Sequence, residues 1–352
     1  VKESKEEGFL ACYIVCRGLG VPADYWNFTQ SNYGAIVNAD PNAYFDDRGF
    51  AVRRLEGDWD ATTGTLGIEY SPTVDTLVFG KYSRGYKSGG FNNLGFVPEP
   101  YTDSEFVDAF ELGWKQEWYD IGLTTNMAAF LYNYQDAQVP LQAESGRNPD
   151  GTPIFSTLFV NLPEVETIGF ELESNWNPVG ELNIGFTYAY LRPEITDDGG
   201  ALYVDTDRDN RRVGGVLLDP KRETRLQGNQ LPQSPEHRVS ANVRYEFLYE
   251  DGSRLVPTLS YSWRDDFYDN IFNNEFGVIP AYDNLDGRLN WYSSEGRFQV
   301  TGWVRNILDE DQLTALGANY NQSRANAGAQ ARFNTFSYSL PRTYGVDLIF
   351  RY

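Results

Sequence analysis

The chain has 352 residues, 15% of them aromatic, with 24 Tyr and 22 Phe but one Met and one His. Its formal net charge is −21, so the basic footprint of a nucleic-acid binder is missing. Mean hydropathy is −0.49 and no run of 18 apolar residues occurs, which excludes a transmembrane helix but not a transmembrane barrel, whose strands average to a hydrophilic score.

Twelve strands are expected, at 1–11, 58–70, 76–87, 104–118, 121–138, 158–176, 181–193, 236–248, 253–268, 281–292, 297–307 and 341–352. The first opens Val1-Lys-Glu-Ser-Lys-Glu-Glu and has no apolar face, so it reads as the polar upper end of a strand. In 110–118, Phe110, Leu112, Trp114 and Trp118 oppose Glu111, Lys115 and Glu117. In 168–176, Ile168, Phe170, Leu172 and Trp176 oppose Glu171, Glu173 and Asn175. The same period of two recurs over 182–190, 239–247 and 255–263, and more weakly at 64–70, 285–291 and 298–304. It points to an antiparallel sheet with one apolar face. In 76–86 and 122–137 the alternation does not say which face is outward.

Connections alternate in length. Tight turns at 71–75, 119–122, 177–180, 249–252 and 293–296 carry the Pro, Gly, Asn and Asp of hairpins. Long polar connections at 12–50, 88–103, 141–157, 195–235, 269–280 and 308–339 then all fall at the opposite end, as in outer-membrane barrels. Aromatics precede each tight turn: Tyr70, Trp118, Trp176, Phe247 and Trp291. They would form a girdle at the periplasmic headgroups. In the last strand Tyr344, Val346, Leu348, Phe350 and Tyr352 share one face, and that aromatic ending resembles the C-terminal insertion signal of bacterial outer-membrane barrels. A soluble sandwich fits the period but neither the one-ended long loops nor the girdle.

Lys81-Tyr-Ser-Arg-Gly-Tyr-Lys-Ser-Gly-Gly-Phe-Asn resembles a strand end of TonB-dependent outer-membrane receptors. Glu111-Leu-Gly-Trp-Lys, Thr167-Ile-Gly-Phe-Glu-Leu-Glu, Leu231-Pro-Gln-Ser-Pro-Glu-His-Arg, Val304-Arg-Asn-Ile-Leu-Asp and Pro341-Arg-Thr-Tyr-Gly-Val are similar to further family segments, in order, over 58–352. The resemblance implies an all-β transmembrane antiparallel barrel of 22 strands closed around an N-terminal plug. Residues 1–352 would be the C-terminal portion of that single barrel domain, beginning partway through a strand. No signal peptide opens the sequence, so the expectation is a cleaved leader or a start inside a longer protein. The family function would be capture of a scarce nutrient, a ferric siderophore by default, followed by import coupled to the TonB-type energy-transducing complex. Both the plug and that coupling would require parts before Val1. A carbohydrate or other nutrient receptor is one alternative, and a structural barrel subunit of a larger outer-membrane assembly is another. Expected partners are outer-membrane lipid and lipopolysaccharide, the plug, and a small-molecule ligand.

Candidate chemistry lies in the long loops. Basic residues of an acidic protein can capture an anionic ligand, which nominates Arg84, Lys87, Arg208, Arg211, Arg212, Arg222, Arg225, Arg324 and Arg332, while Tyr320 in Tyr320-Asn-Gln-Ser suits a sugar. The same cations could instead balance loop carboxylates or lipopolysaccharide phosphates. Asp205, Asp207 and Asp209 alternate like the start of a calcium loop but lack its glycine and terminal Glu, so a solvated acidic loop is the alternative. Cys12 and Cys16 at an oxidising cell surface favour a local disulfide over a metal site, the lone His237 standing beside a different loop. No resident cofactor is expected, and no catalytic constellation is present to suggest an enzyme.

Overall fold

The computed structural model describes residues 2–8, 42–45, 51–92, 100–147, 153–205, 207–208, 212–213, 216–217, 219–320 and 332–352. Eleven strands form one antiparallel path: β1 (Gly64–Thr73), β2 (Thr76–Lys87), β3 (Glu105–Trp118), β4 (Leu123–Arg147), β5 (Pro153–Val179), β6 (Leu182–Asp197), β7 (His237–Tyr245), β8 (Arg254–Arg264), β9 (Tyr282–Tyr292), β10 (Phe298–Arg305) and β11 (Thr343–Phe350). Each pairs with its sequence neighbours, and Phe247–Leu248 continues beside β8 as a twelfth strand. Lys2–Gly8 pairs instead with Ala51–Asp58, in a separate three-stranded sheet completed by Ala43–Phe45. The strand expected at 58–70 is therefore two: Ala51–Asp58 and, after a break at 59–63, β1.

Register sorts the residues onto two faces. Leu66 pairs with Tyr82, Tyr82 with Phe110, Phe110 with Leu131, and Leu131 with Ile168, a single row across five strands. At the other edge Val300 pairs with Leu348 and Phe298 with Phe350. Leu66, Ile68, Leu112, Val346 and Leu348 are 63–77% exposed, so no described residue covers this apolar face, as expected of a surface that meets lipid. It also settles the two ambiguous strands: Val78, Tyr82, Met127 and Leu131 are outward, in register with Trp114, Phe110 and Leu112's neighbours on that side. From Phe106 to Trp118 β3 rises about 40 Å at ~3.4 Å per residue, or about 31 Å along the membrane normal at a ~40° tilt. That distance spans an apolar band of ~25 Å plus its aromatic borders.

All five tight turns lie at one end. The turn between β3 and β4 is a short 3-10 segment, Tyr119–Ile121, closed by Gly122 at φ 65°. A Cβ on Gly122 would meet the Asn177 carbonyl oxygen at 2.3 Å, and that same turn receives a hydrogen bond from Asn177 N–H to the Gly122 carbonyl at 2.7 Å. G122A therefore combines left-handed strain with a backbone clash and is expected to cost about 1–3 kcal/mol, read as a lowered urea midpoint of the membrane-inserted protein.

On the inward face, rings cover glycines of the adjoining strand. Phe79 lies over Gly113, Phe130 over Gly169 and Trp303 over Gly345, each pair directly opposed in register. A Cβ at Gly169 would stand 2.1 Å from the Phe130 ring, which explains the glycine in Ile168-Gly-Phe-Glu. Only a residue without a side chain lets the neighbouring ring lie flat on the backbone.

The connection expected over 141–157 is mostly strand. β4 has 25 residues and β5 has 27, and their pairing runs from Trp176–Leu123 at the periplasmic end to Pro153–Arg147 at the tip. The hairpin thus climbs roughly 40 Å past Gln135. The buried apolar cluster sits there, outside the membrane: Ala137, Leu141, Leu162, Val165, Ile195, Leu226 and Ile271.

Candidate ligand-binding site

Two long connections pack on that cluster, 198–236 after β6 and 265–281 after β8. Leu226 brings the first and Ile271 the second, both buried. Polar contacts then fix each segment. The buried Asp198 carboxylate accepts from Arg225 Nε at 2.9 and 2.8 Å and from Arg225 Nη2. It also accepts from the amides of Gly200, Leu226 and Gln227 at 2.8–3.1 Å. The Arg225 guanidinium, helped by those backbone donors, holds the Asp198 carboxyl well below the usual carboxylate range despite its burial.

A second buried carboxylate ties the two connections together. Asp205 accepts from the Asp207 amide at 3.0 Å, Arg208 Nε at 3.1 Å and Asn274 Nδ2 at 2.8 Å. Arg208 reaches on to Glu275 at 2.7 Å and Asp219 at 3.3 Å, with its guanidinium 5.2 Å from the Phe276 ring centre. Arg222, also buried, donates to the carbonyls of Asp205 and Arg208. Asn229 donates to the Ile271 carbonyl at 3.0 Å, and the Gln230 amide donates to Asn273 Oδ1 at 2.6 Å. The result is a preorganised platform at the end of the sheet opposite the tight turns.

Sequence reasoning missed Asp198 and the asparagines 270, 273 and 274 as organisers of this platform, and read Arg208, Arg222 and Arg225 as cations for a ligand. Two signals were available: Asp197-Asp-Gly-Gly as a turn, and the asparagine-rich run Asn270-Ile-Phe-Asn-Asn-Glu. Of the arginines in 195–235, Arg208, Arg222 and Arg225 serve the scaffold. Asp205, named as a calcium ligand, is engaged by nitrogen donors, and Asp207 Oδ2 lies 3.4 Å from Asn270 Nδ2. No group of three or more metal-ligating side chains gathers among the described residues.

The remaining candidates are dispersed. Arg84 shares the outward face with Tyr82, bonds Asp108 at 2.7 Å and lies 4.9 Å from the Phe106 ring, at the upper rim of the apolar band. Lys87 points to the other side, 5.7 Å from the Phe159 ring. Arg212 begins the two-residue strand Arg212–Val213, and Tyr320 and Arg332 are register partners at the end of the Leu313–Tyr320 and Arg332–Tyr338 hairpin. Cys12, Cys16, Asp209, Arg211 and Arg324 lie outside the described residues. Tyr344, Val346, Leu348 and Phe350 line the outward face of β11, and Tyr352 follows it, fully exposed. His237 faces outward too, its Nδ1 2.9 Å from the Tyr188 hydroxyl and its ring stacked on Tyr188.

Residues 18–307 match the sequence model of the TonB dependent receptor-like β-barrel family. The chain belongs to that family. The siderophore receptor PiuA of Acinetobacter baumannii is 22% identical to this receptor barrel over 287 residues, which are 79% of this chain and 34% of PiuA. The ferric yersiniabactin uptake receptor FyuA of Yersinia pestis superposes with a TM-score of 0.62 at 20% identity, over 86% of this chain and 39% of FyuA. The copper transporter OprC superposes with a TM-score of 0.55 at 14% identity, over 88% of this chain and 41% of OprC. These likenesses establish the fold. The chain spans a little over a third of the length of the proteins it matches. The receptor barrel is an outer-membrane protein, and its platform stands at the extracellular end.

Proposed function

We propose that this chain forms the C-terminal wall of a TonB-dependent receptor that takes up a ferric siderophore from outside the cell. The platform of 198–236 and 265–281 carries the reading. A ligand surface held by buried carboxylates before the ligand arrives avoids the ordering cost of a mobile loop. The names of PiuA and FyuA support iron-chelate cargo. Arg211 and Arg212, in the sequence of that connection, and Tyr320, Arg324 and Arg332, in the sequence between β10 and β11, are the residues we assign to ligand capture. Import would then pass through the plug and the TonB-type complex.

The test is uptake of radiolabelled ferric chelates by iron-starved cells carrying or lacking the full-length gene. Loss of uptake on deletion, restored by the intact gene and reduced by R211Q/R212Q, is the expected result. Unchanged iron uptake together with impaired growth on a scarce oligosaccharide would transfer the function to carbohydrate.

A further inference from the structure

We infer that Arg264 is a positioning residue that couples the hairpin between β10 and β11 to the platform, so that the two sets of proposed capture residues move as one body. The inference rests on the receptor reading above for what the coupling serves. Three segments distant in sequence meet at this side chain. Its guanidinium carbon stands 4.5 Å from the Phe267 ring centre, near the start of the 265–281 connection. It stands 4.3 Å from the ring centre of Tyr282, the register partner of Arg264 on β9. Arg264 Nη2 donates to the Leu313 carbonyl at 3.4 Å, and Nη1 donates to the Asp265 carbonyl at 3.5 Å. Both bonds are long, so the two rings hold the guanidinium and the carbonyls only orient it. On β7 the exposed Arg238 stands directly opposite. Like charges so placed repel, which disfavours a swing of Arg264 towards β7 and keeps it against the rings.

Each partner leads to a larger unit. Phe267 pairs with Ile279 and Tyr268 with Val278, so the 265–281 connection begins and ends as a two-stranded ribbon. That ribbon is tied to 198–236 by Asn274 on Asp205, by Arg208 on Glu275, and by the Gln233 amide, which donates to the Tyr268 carbonyl at 2.8 Å. Leu313 opens the other ribbon, Leu313–Tyr320 paired with Arg332–Tyr338, whose far end carries Tyr320 and Arg332. The base of this ribbon is clasped separately. Arg342 Nη2 donates to Asp309 at 2.9 Å, Asn306 Nδ2 to the Glu310 carbonyl at 2.9 Å, and Gln312 Nε2 to the Asp283 carbonyl at 3.1 Å. Val278–Ile279 lies against the Leu313–Tyr320 strand, and both Ile279 and Leu316 are buried. Apolar contact is non-directional, so it holds the ribbons together without fixing the angle between them. A planar guanidinium between two rings is directional, and a lysine cannot reproduce it. Arg264 therefore sets how the hairpin stands against the platform, and a disturbance on one side reaches the other through it.

The test is amide hydrogen exchange of the full-length receptor in lipid nanodiscs, which requires no ligand. N274A breaks the link to Asp205 on the far side of the platform. It should speed exchange in 267–279 and, by about threefold or more, in 313–320 and 332–338. E275Q, a milder break at Arg208, should act in the same direction. In the R264Q background N274A should speed exchange in 267–279 alone. R264Q by itself should loosen both ribbons while the melting of the transmembrane sheet stays unchanged. R264K, which keeps the charge and loses the flat fork, should behave as R264Q, and Y282F, which keeps the ring, should behave as wild type. A hairpin indifferent to both N274A and E275Q, or equally sensitive to N274A in R264Q, overturns the inference and leaves the receptor reading intact. Exchange in R264K equal to that of wild type would overturn the stacking on which the coupling depends. The expected exchange pattern without uptake of ferric chelates by the intact gene would keep the coupling and remove the receptor reading.

Discussion

Replacing Leu112 by Arg should destabilise the receptor by about 2–4 kcal/mol in a bilayer, whereas replacing its neighbour Glu111 by Gln should cost less than about 1 kcal/mol. Leu112 lies halfway between the aromatic borders at Phe106 and Trp118, on the outward face and 63% exposed. A guanidinium there enters hydrocarbon at the midplane, where the penalty is largest. Glu111 points inward and pairs with Lys81 at 2.8 Å, in a bridge whose lysine is 44% exposed. Water already screens that pair, so its loss is cheap. Urea unfolding of the full-length receptor in phospholipid vesicles measures both. A cheap L112R together with a costly E111Q would reverse the assignment of lipid and lumen faces.

The second large effect is local. D198A should cost the platform about 2–4 kcal/mol, while the melting of the transmembrane sheet stays nearly constant. The substitution removes the shared acceptor of Gly200, Leu226 and Gln227 amides and of the Arg225 fork. Each buried donor left unpaired costs about 1–3 kcal/mol, and the half-exposed Arg225 recovers part of its loss by turning to water. Hydrogen exchange at Leu226 and Gln227 reports it directly. The carboxyl is held below its ordinary value near 3.8, so its contribution is complete above that value and is lost as pH falls through the lower folded one. Amide protection should therefore be flat, after correction for intrinsic exchange, between pH 5 and 8, and protection that rises or falls across that window would contradict the assignment.

The membrane sheet was legible because lipid imposes its rule on every second residue. Phe110, Leu112 and Trp114 announce their face whatever surrounds them, and the turns at 119–122 and 249–252 carry their own glycines. The hairpin tip was not legible. Pro140, Gly146 and Pro153 read as loop punctuation, yet Pro140 is the register partner of Phe159 and Pro153 that of Arg147, so these residues stand within the strands. Asp198 escaped notice, and Asp205 was noticed only as a calcium ligand, for another reason. Their partners Arg225 and Asn274 lie 27 and 69 residues away, and no local pattern distinguishes a carboxylate that will be buried from one that will be solvated. Arg84 was read as a ligand residue from its charge alone. Its register with Asp108 places it on the lipid side of the wall, where only pairing across strands could have put it.

The rings lying on glycines have a consequence for assembly. A strand displaced by one residue turns its whole apolar face inward, which lipid forbids, but a displacement of two keeps the faces correct and escapes that check. Phe79, Phe130 and Trp303 close this gap. Shifted by two along β3, the Phe79 ring would meet Glu111 or Lys115 in place of Gly113. Shifted along β5, Phe130 would meet Thr167 or Glu171, and Trp303, shifted along β11, would meet Thr343 or Asp347. Three of the seams are thus keyed, and the wall can be stitched together at those seams in only one alignment.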